Sequence, residues 1–235
     1  MSISRIYIVG MKAKYIIITV AALLLAAGCA KDTGPEFQDP SWDKAGEQLQ
    51  LAVTVRQDAT GTVYFQKGNN VRFFPRGGYE FTGECRAFGS FIISPQEQPG
   101  YGHICDVEWL EEIDKGPVII STAASFADCI DGIDVDSQSS ITSIEDGYLT
   151  VNYYSWWGAA PVHHDIALLY AGERELFLVN NANGDAREVY TQGLVYFDIN
   201  DLFPAAEEEP LTITLKWITT EGKETSAKFG FISRK

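Results

Sequence analysis

Twelve short stretches of this chain alternate apolar and polar residues between turn clusters rich in glycine and asparagine, and no helical period competes with them. In the clearest stretch, Leu211, Ile213, Leu215 and Trp217 point one way and Thr212, Thr214 and Lys216 the other. Ala227, Phe229 and Phe231 repeat the pattern in the next stretch. A period of two puts each set on one face of a sheet. Aromatic residues at 12%, with many Val, Ile and Thr, favour strands further.

The stretches fall into two groups. In the first, Leu51, Val53 and Val55 alternate with Ala52, Thr54 and Arg56, as a half-exposed strand would. Residues 62–66, 71–74, 84–94 and 102–110 follow, the first two around the turn Lys67-Gly68-Asn69-Asn70. Five strands in so short a span match a small barrel. A polar, aspartate-rich junction, Asp128 to Ser140, separates this group from seven further strands: 141–144, 148–157, 162–170, 175–179, 194–199, 211–218 and 225–232. Asp146-Gly147, Ala171-Gly172 and Glu221-Gly222 mark three of their turns, and Glu207-Glu208-Glu209 reads as an exposed loop. The pattern predicts an all-β chain. A five-stranded barrel domain spans 47–124, and a seven-stranded, Ig-like antiparallel β-sandwich spans 125–235.

Ahead of the strands, Lys12 and Lys14 precede an apolar run, Tyr15 to Ala27, too short to span a bilayer, which needs about 20 residues. Ala26, Ala27 and Gly28 lead into Cys29. This is the layout of a lipoprotein signal, with Cys29 acylated after cleavage; an ordinary signal peptide, or a buried apolar helix with an incidental cysteine, is the alternative reading. Ala26 departs from the usual pattern, which has Leu there. Residues 1–28 are then signal, and 1–10 read as a spurious leader, because Met11 opens a complete signal. Residues 29–46, polar and carrying two Pro, read as a flexible tether. The expected address is the cell envelope, anchored by lipid such as palmitate, at the outer membrane. Whether the body faces the periplasm or the surface stays open.

Removing residues 1–28 takes away Arg5, Lys12 and Lys14 and no acid, which moves the net charge from −14 to −17. Such a field argues against nucleic acid as a partner. With Cys29 acylated, Cys85, Cys105 and Cys129 remain. Export permits one disulfide, for which Cys85 and Cys105 on neighbouring strands are the candidate pair. Three buried thiols are the alternative.

Three groups of residues are candidate sites. In YLTVNYYSWW, alternation puts Leu149, Val151, Tyr153 and Trp157 inward, and Tyr148, Tyr154 and Trp156 outward. Exposed, these three aromatics suit a glycan or a protein; the alternative is that the barrel or the other sheet covers them. His163, His164 and Asp165 carry metal and acid–base chemistry, but the phase turns His164 inward and the other two outward, which favours a structural His164. Asp131, Asp134 and Asp136, with Asp128, are oxygen ligands of the kind calcium takes. Their order is wrong for an EF-hand, so a solvated linker is the preferred reading and no metal is expected. Ser155 shows no local base, and no nucleophile elbow or zinc helix is present in the sequence.

Several blocks, LAAGC ending at Cys29, GTVYFQKGNN, DGYLTVNYY, HHDIALL, LFLVNNANGD and GLVYFDIND, fall in order along the chain. Together they resemble the NigD-like family. The resemblance implies an envelope lipoprotein with an N-terminal OB-type barrel and a C-terminal β-sandwich. It carries no catalytic residue set and no cofactor beyond the lipid on Cys29. The expected role is a non-enzymatic binding or assembly module held at a membrane. An envelope hydrolase with an interdomain site, and a bacteriocin-related secreted protein, are the alternatives.

Overall fold

The computed structural model describes residues 46–98, 102–203 and 210–234; the signal segment with Cys29, the tether up to residue 45 and the loop at 207–209 lie outside them. Among the described residues, no helix is long and apolar enough to cross a membrane.

The first five strands are β1 (Gln48–Gln57), β2 (Val63–Lys67), β3 (Val71–Pro75), β4 (Cys85–Gln98) and β5 (Gly102–Glu112). They close into a barrel in the order β1-β2-β3-β5-β4, with β4 returning to β1. The β3–β5 pair is parallel and the others are antiparallel, the arrangement of an OB-type barrel. Val53, Val55, Phe65, Phe73, Phe91, Ile93 and Cys105 fill its interior.

The remaining strands build two packed sheets. They are β6 (Asp114–Lys115), β7 (Val118–Ile120), β8 (Asp134–Val135), β9 (Ser143–Glu145), β10 (Tyr148–Trp157), β11 (Asp165–Gly172), β12 (Glu175–Asn181), β13 (Val189–Asp198), β14 (Leu211–Ile218) and β15 (Glu224–Phe231). The front sheet runs β6-β13-β10-β8, with β9 also on β10; the back sheet runs β15-β14-β12-β11-β7. Leu149, Val151, Leu168, Leu176, Phe197, Ile213, Leu215, Trp217, Phe229 and Phe231 interdigitate between them. The seven expected strands are β9 to β15. The short β6, β7 and β8 add to the sheets, and three pairs, β6–β13, β7–β11 and β12–β14, are parallel.

Three local readings need correction. β6 and β7, placed by sequence in the barrel's segment 47–124, pair with sandwich strands, so the barrel's own pairing ends at Glu112. The turn expected at Ala171-Gly172 sits two residues on, at Glu173-Arg174, which hold φ of 48° and 68°. A register shift between Tyr170 and Gly172 moves it there. Cys85 and Cys105 are free thiols. Cys105 pairs with Ile93 across β4–β5, eight residues along β4 from Cys85. At ~3.3 Å per residue that is roughly 26 Å, far beyond disulfide reach.

The barrel docks on the front sheet through charge as much as through apolar surface. Ala52, Thr54 and Arg56 are not the solvent face that alternation suggests: Ala52 and Thr54 are fully buried. Opposite them, the β9–β10 hairpin presents Glu145 and Asp146, with Asp146-Gly147 at φ of 52° and 78° in the turn the sequence signals. Lys67 Nζ donates to both oxygens of Glu145, at 2.6 and 2.8 Å. Arg86, with no exposed side-chain surface, donates to Thr54 Oγ1 and Thr150 Oγ1, both at 3.1 Å, and its Nη2 lies 3.6 Å from Glu145 Oε2. Arg56 Nε lies 3.3 Å from Asp146 Oδ2. Tyr148 donates to Glu84 Oε1 at 2.5 Å, and Arg234 also pairs with Glu84. A small apolar cluster, Ala52, Ile113, Tyr148 and Tyr196, completes the contact.

Candidate functional site

β10 carries Tyr148, Thr150, Asn152, Tyr154 and Trp156 on its outer face, as alternation requires. The barrel covers the start of that face and leaves its far end open. Tyr148, expected on a binding surface, is only 5% exposed. It packs edge-on against Tyr196 and under the Arg234 guanidinium. It therefore belongs to the domain contact, and the barrel is what covers it. Tyr154 and Trp156 are half-buried.

Their partner is a residue the sequence reading passed over. Tyr190 on β13 stands directly across from Trp156 and is 44% exposed. Its ring lies 5.6 Å from that of Tyr154 at 19°, and 5.2 Å from that of Trp156 at 50°. Three rings thus stand in a row at the open end of the front sheet, near the separations that aromatic pairs prefer. β13 begins at Val189 rather than at 194, because Val189 to Gln192, all exposed, show no apolar alternation to announce a strand.

Asp134 on β8 holds this row against the opposite wall. Its Oδ2 accepts from Tyr190 Oη at 2.8 Å and from Thr220 Oγ1 at 2.5 Å, and its Oδ1 accepts from the Thr220 amide at 3.1 Å. Burial first, and then this carboxylate accepting its hydrogen bond, push the Tyr190 phenol up to about 12. Thr220 lies in the β14–β15 turn, which is closed by the Lys223 amide donating to Thr219 Oγ1 at 3.1 Å. Gly132 lets that turn approach: a Cβ there would meet the Thr219 carbonyl oxygen at 2.3 Å. Between the two walls is a cleft of about 620 Å³. Trp156 and Tyr190 form one side, and Thr220, Glu221, Lys223 and Thr225 the other. That volume suits a small ligand or one or two units of a polymer.

The other candidates are dispersed. Asp131 accepts from the Ala182 amide at 2.8 Å, and Asp136 from the Ser139 amide at 3.0 Å, so the acids proposed for calcium, with Asp134, each serve a different loop. Asp128 caps a 3-10 turn through the Ser125 amide. Among the described residues, no three His, Cys, Asp or Glu side chains gather as a metal site would need. His164 is buried, as its phase indicates, and stacks on Trp157 at 3.8 Å and 13°. Its Nε2 lies 3.4 Å from Asp185 Oδ2. The Asp185 carboxyl is held below the usual carboxylate range, chiefly by the Gly158 amide. His163 and Asp165 point to solvent. Ser155 faces inward, where Asn180 donates to its hydroxyl. None of these residues lines the interdomain groove, a space of about 420 Å³ between Gln50, Phe88 and Glu111 on the barrel and Ile141, Gln192 and Leu194 on the sandwich.

Comparison with known proteins places this architecture. A protein provisionally named toxin-related, from Parabacteroides distasonis, aligns at 20% identity and a TM-score of 0.64, over 80% of this chain and 94% of its own. A NigD-like immunity protein from Bacteroides caccae aligns at 16% identity and 0.55, over 78% and 96%. A protein provisionally named a lipoprotein, from Bacteroides fragilis, aligns at 12% identity and 0.57, over 80% and 100%. At these identities the likeness is one of fold. None of the curated proteins compared with the chain matches it. Residues 119–231 match the family model described as the NigD-like C-terminal beta sandwich domain.

Proposed function

We propose that this protein is a non-enzymatic binding module held at the cell envelope by a lipid on Cys29, and that it meets its ligand at the open end of the front sheet. One observation carries the reading. The outer face of β10 is buried from Tyr148 through Asn152, its start against the barrel, while Tyr154 and Trp156 stay half-exposed and Tyr190 exposed beside a cleft. A sheet face closed by a partner domain at one end, and left aromatic where it opens, is a surface kept for contact. The small residues before Cys29 support the envelope address, as does the fold shared with the protein provisionally named a lipoprotein. A diacylated or triacylated Cys29 would anchor the chain stably, which one acyl chain would not.

The test is an array of glycans, peptides and proteins probed with the full chain and with the Trp156→Ala/Tyr190→Ala variant. The proposal expects at least one ligand to be lost in the variant. Identical profiles would remove the cleft from the function. Cys29→Ser that still takes up metabolic lipid label would remove the anchor.

A further inference from the structure

Resting on the binding-module reading, we infer that the Trp156–Tyr190 cleft takes an uncharged glycan, docked with the C–H face of a sugar ring on the aromatic wall and its hydroxyls on the threonine wall. The cleft is two-sided in the same sense as a pyranose. One wall is aromatic ring surface, and the other is Thr220, Thr225 and the exposed turn residues Glu221 and Lys223. A ring with apolar C–H bonds on its faces and hydroxyls at its rim satisfies both walls at once.

Charge decides against the alternatives. An aromatic wall beside carboxylates would also suit an organic cation. But Asp134 is occupied, with Tyr190 and both donors of Thr220 already on its two oxygens. What remains is one acid and one base, Glu221 and Lys223, whose charges offset each other. A cation gains no net partner there. An anion would meet the field of a chain with a net charge of −14. A neutral, hydroxyl-rich ligand needs no ion partner and finds donors and acceptors on the turn. The site is also set in advance, because Asp134 fixes the Tyr190 phenol and the β14–β15 turn relative to one another, which lowers the ordering cost of binding.

The experiment is titration of the full chain in detergent with neutral hexaoses of glucose, xylose, mannose and galactose, followed by tryptophan fluorescence and calorimetry. At least one hexaose is expected to bind. Tyr190→Ala and Trp156→Ala should each weaken it about tenfold or more, the ratio that ~1.4 kcal/mol of lost ring contact gives. Affinity should be unchanged between about 0.05 and about 0.5 M salt, since no ion pair forms. Ile120→Ala, at an exposed position on β7, should bind as the parent does. No binding by any hexaose, binding by both ring variants equal to the parent's, or steep salt dependence would overturn the glycan assignment. If a defined peptide on the array binds instead and is lost in Tyr190→Ala, the glycan assignment falls and the binding-module reading stands. If no ligand of any class responds to the ring variants, both fall.

Discussion

Replacing Glu145 by Gln should detach the barrel from the sandwich energetically without changing the shape of either. Glu145 sits at the tip of the β9–β10 hairpin with 14% of its side chain exposed, holding Lys67 at 2.6 Å and facing Arg86, which has no exposure at all. Burial alone would raise its carboxyl above the ordinary value of 4.5; the Lys67 ammonium and the Arg86 guanidinium overrule burial and hold it below. Gln keeps the volume and removes the charge, leaving two cations in a dry contact. Breaking a buried pair from one side costs about 3–5 kcal/mol. At about 2–4 °C per kcal/mol for a body of this size, Tm should fall by roughly 6–20 °C. Calorimetry and urea unfolding followed by tryptophan fluorescence would read it. Arg86→Met added to Glu145→Gln should cost much less than the sum of the two, since it removes a stranded charge. A Glu145→Gln shift under about 2 °C, or strictly additive effects, would refute a contact held by charge.

Acid should loosen the same contact. Glu84 and Glu145 both have folded values below 4.5, so the stability they contribute is full above the unfolded value and drains as pH falls through the lowered ones. Unfolding scans between about pH 6 and pH 3 should show this, with a flatter profile in Glu145→Gln; equal profiles would contradict it. Gly132→Ala should push the Thr219 carbonyl and the Thr220 backbone away, at a cost of about 1–3 kcal/mol and with weaker binding at the cleft. A variant with unchanged stability and binding would show that the turn is not held by that approach. Cys85, Cys105 and Cys129 should all alkylate in denaturant without reductant. Native Cys105, buried and pushed up to about 12, should react slowest, and a thiol count of one would restore the disulfide.

What could be read from the sequence follows from how each signal arises. The inward faces of β14 and β15 were legible because burial within one sandwich acts on a local period of two. The Asp146-Gly147 turn was legible because few residue pairs accept two positive φ values in succession. The Glu173-Arg174 turn was not, since neither residue announces it. Thr54 looked like a solvent-facing position on its strand; a second domain buries it beside Arg86, and no local pattern encodes that docking. The same holds for Tyr148, which shares the phase of Tyr154 and Trp156 but lies under the barrel. Tyr190 was missed because an exposed strand end has no burial to impose a pattern. Register, invisible to composition, separated the two cysteines.

Hydrogen exchange on the full chain, with and without a saturating neutral hexaose, tests the central claim most directly. New protection is expected on Tyr154 to Trp157, on Val189 to Gln192 and on the turn Thr219 to Thr225, with none on the barrel. Protection centred instead on the interdomain groove at Glu111 to Asp114, or no change at the three cleft segments, would contradict the account.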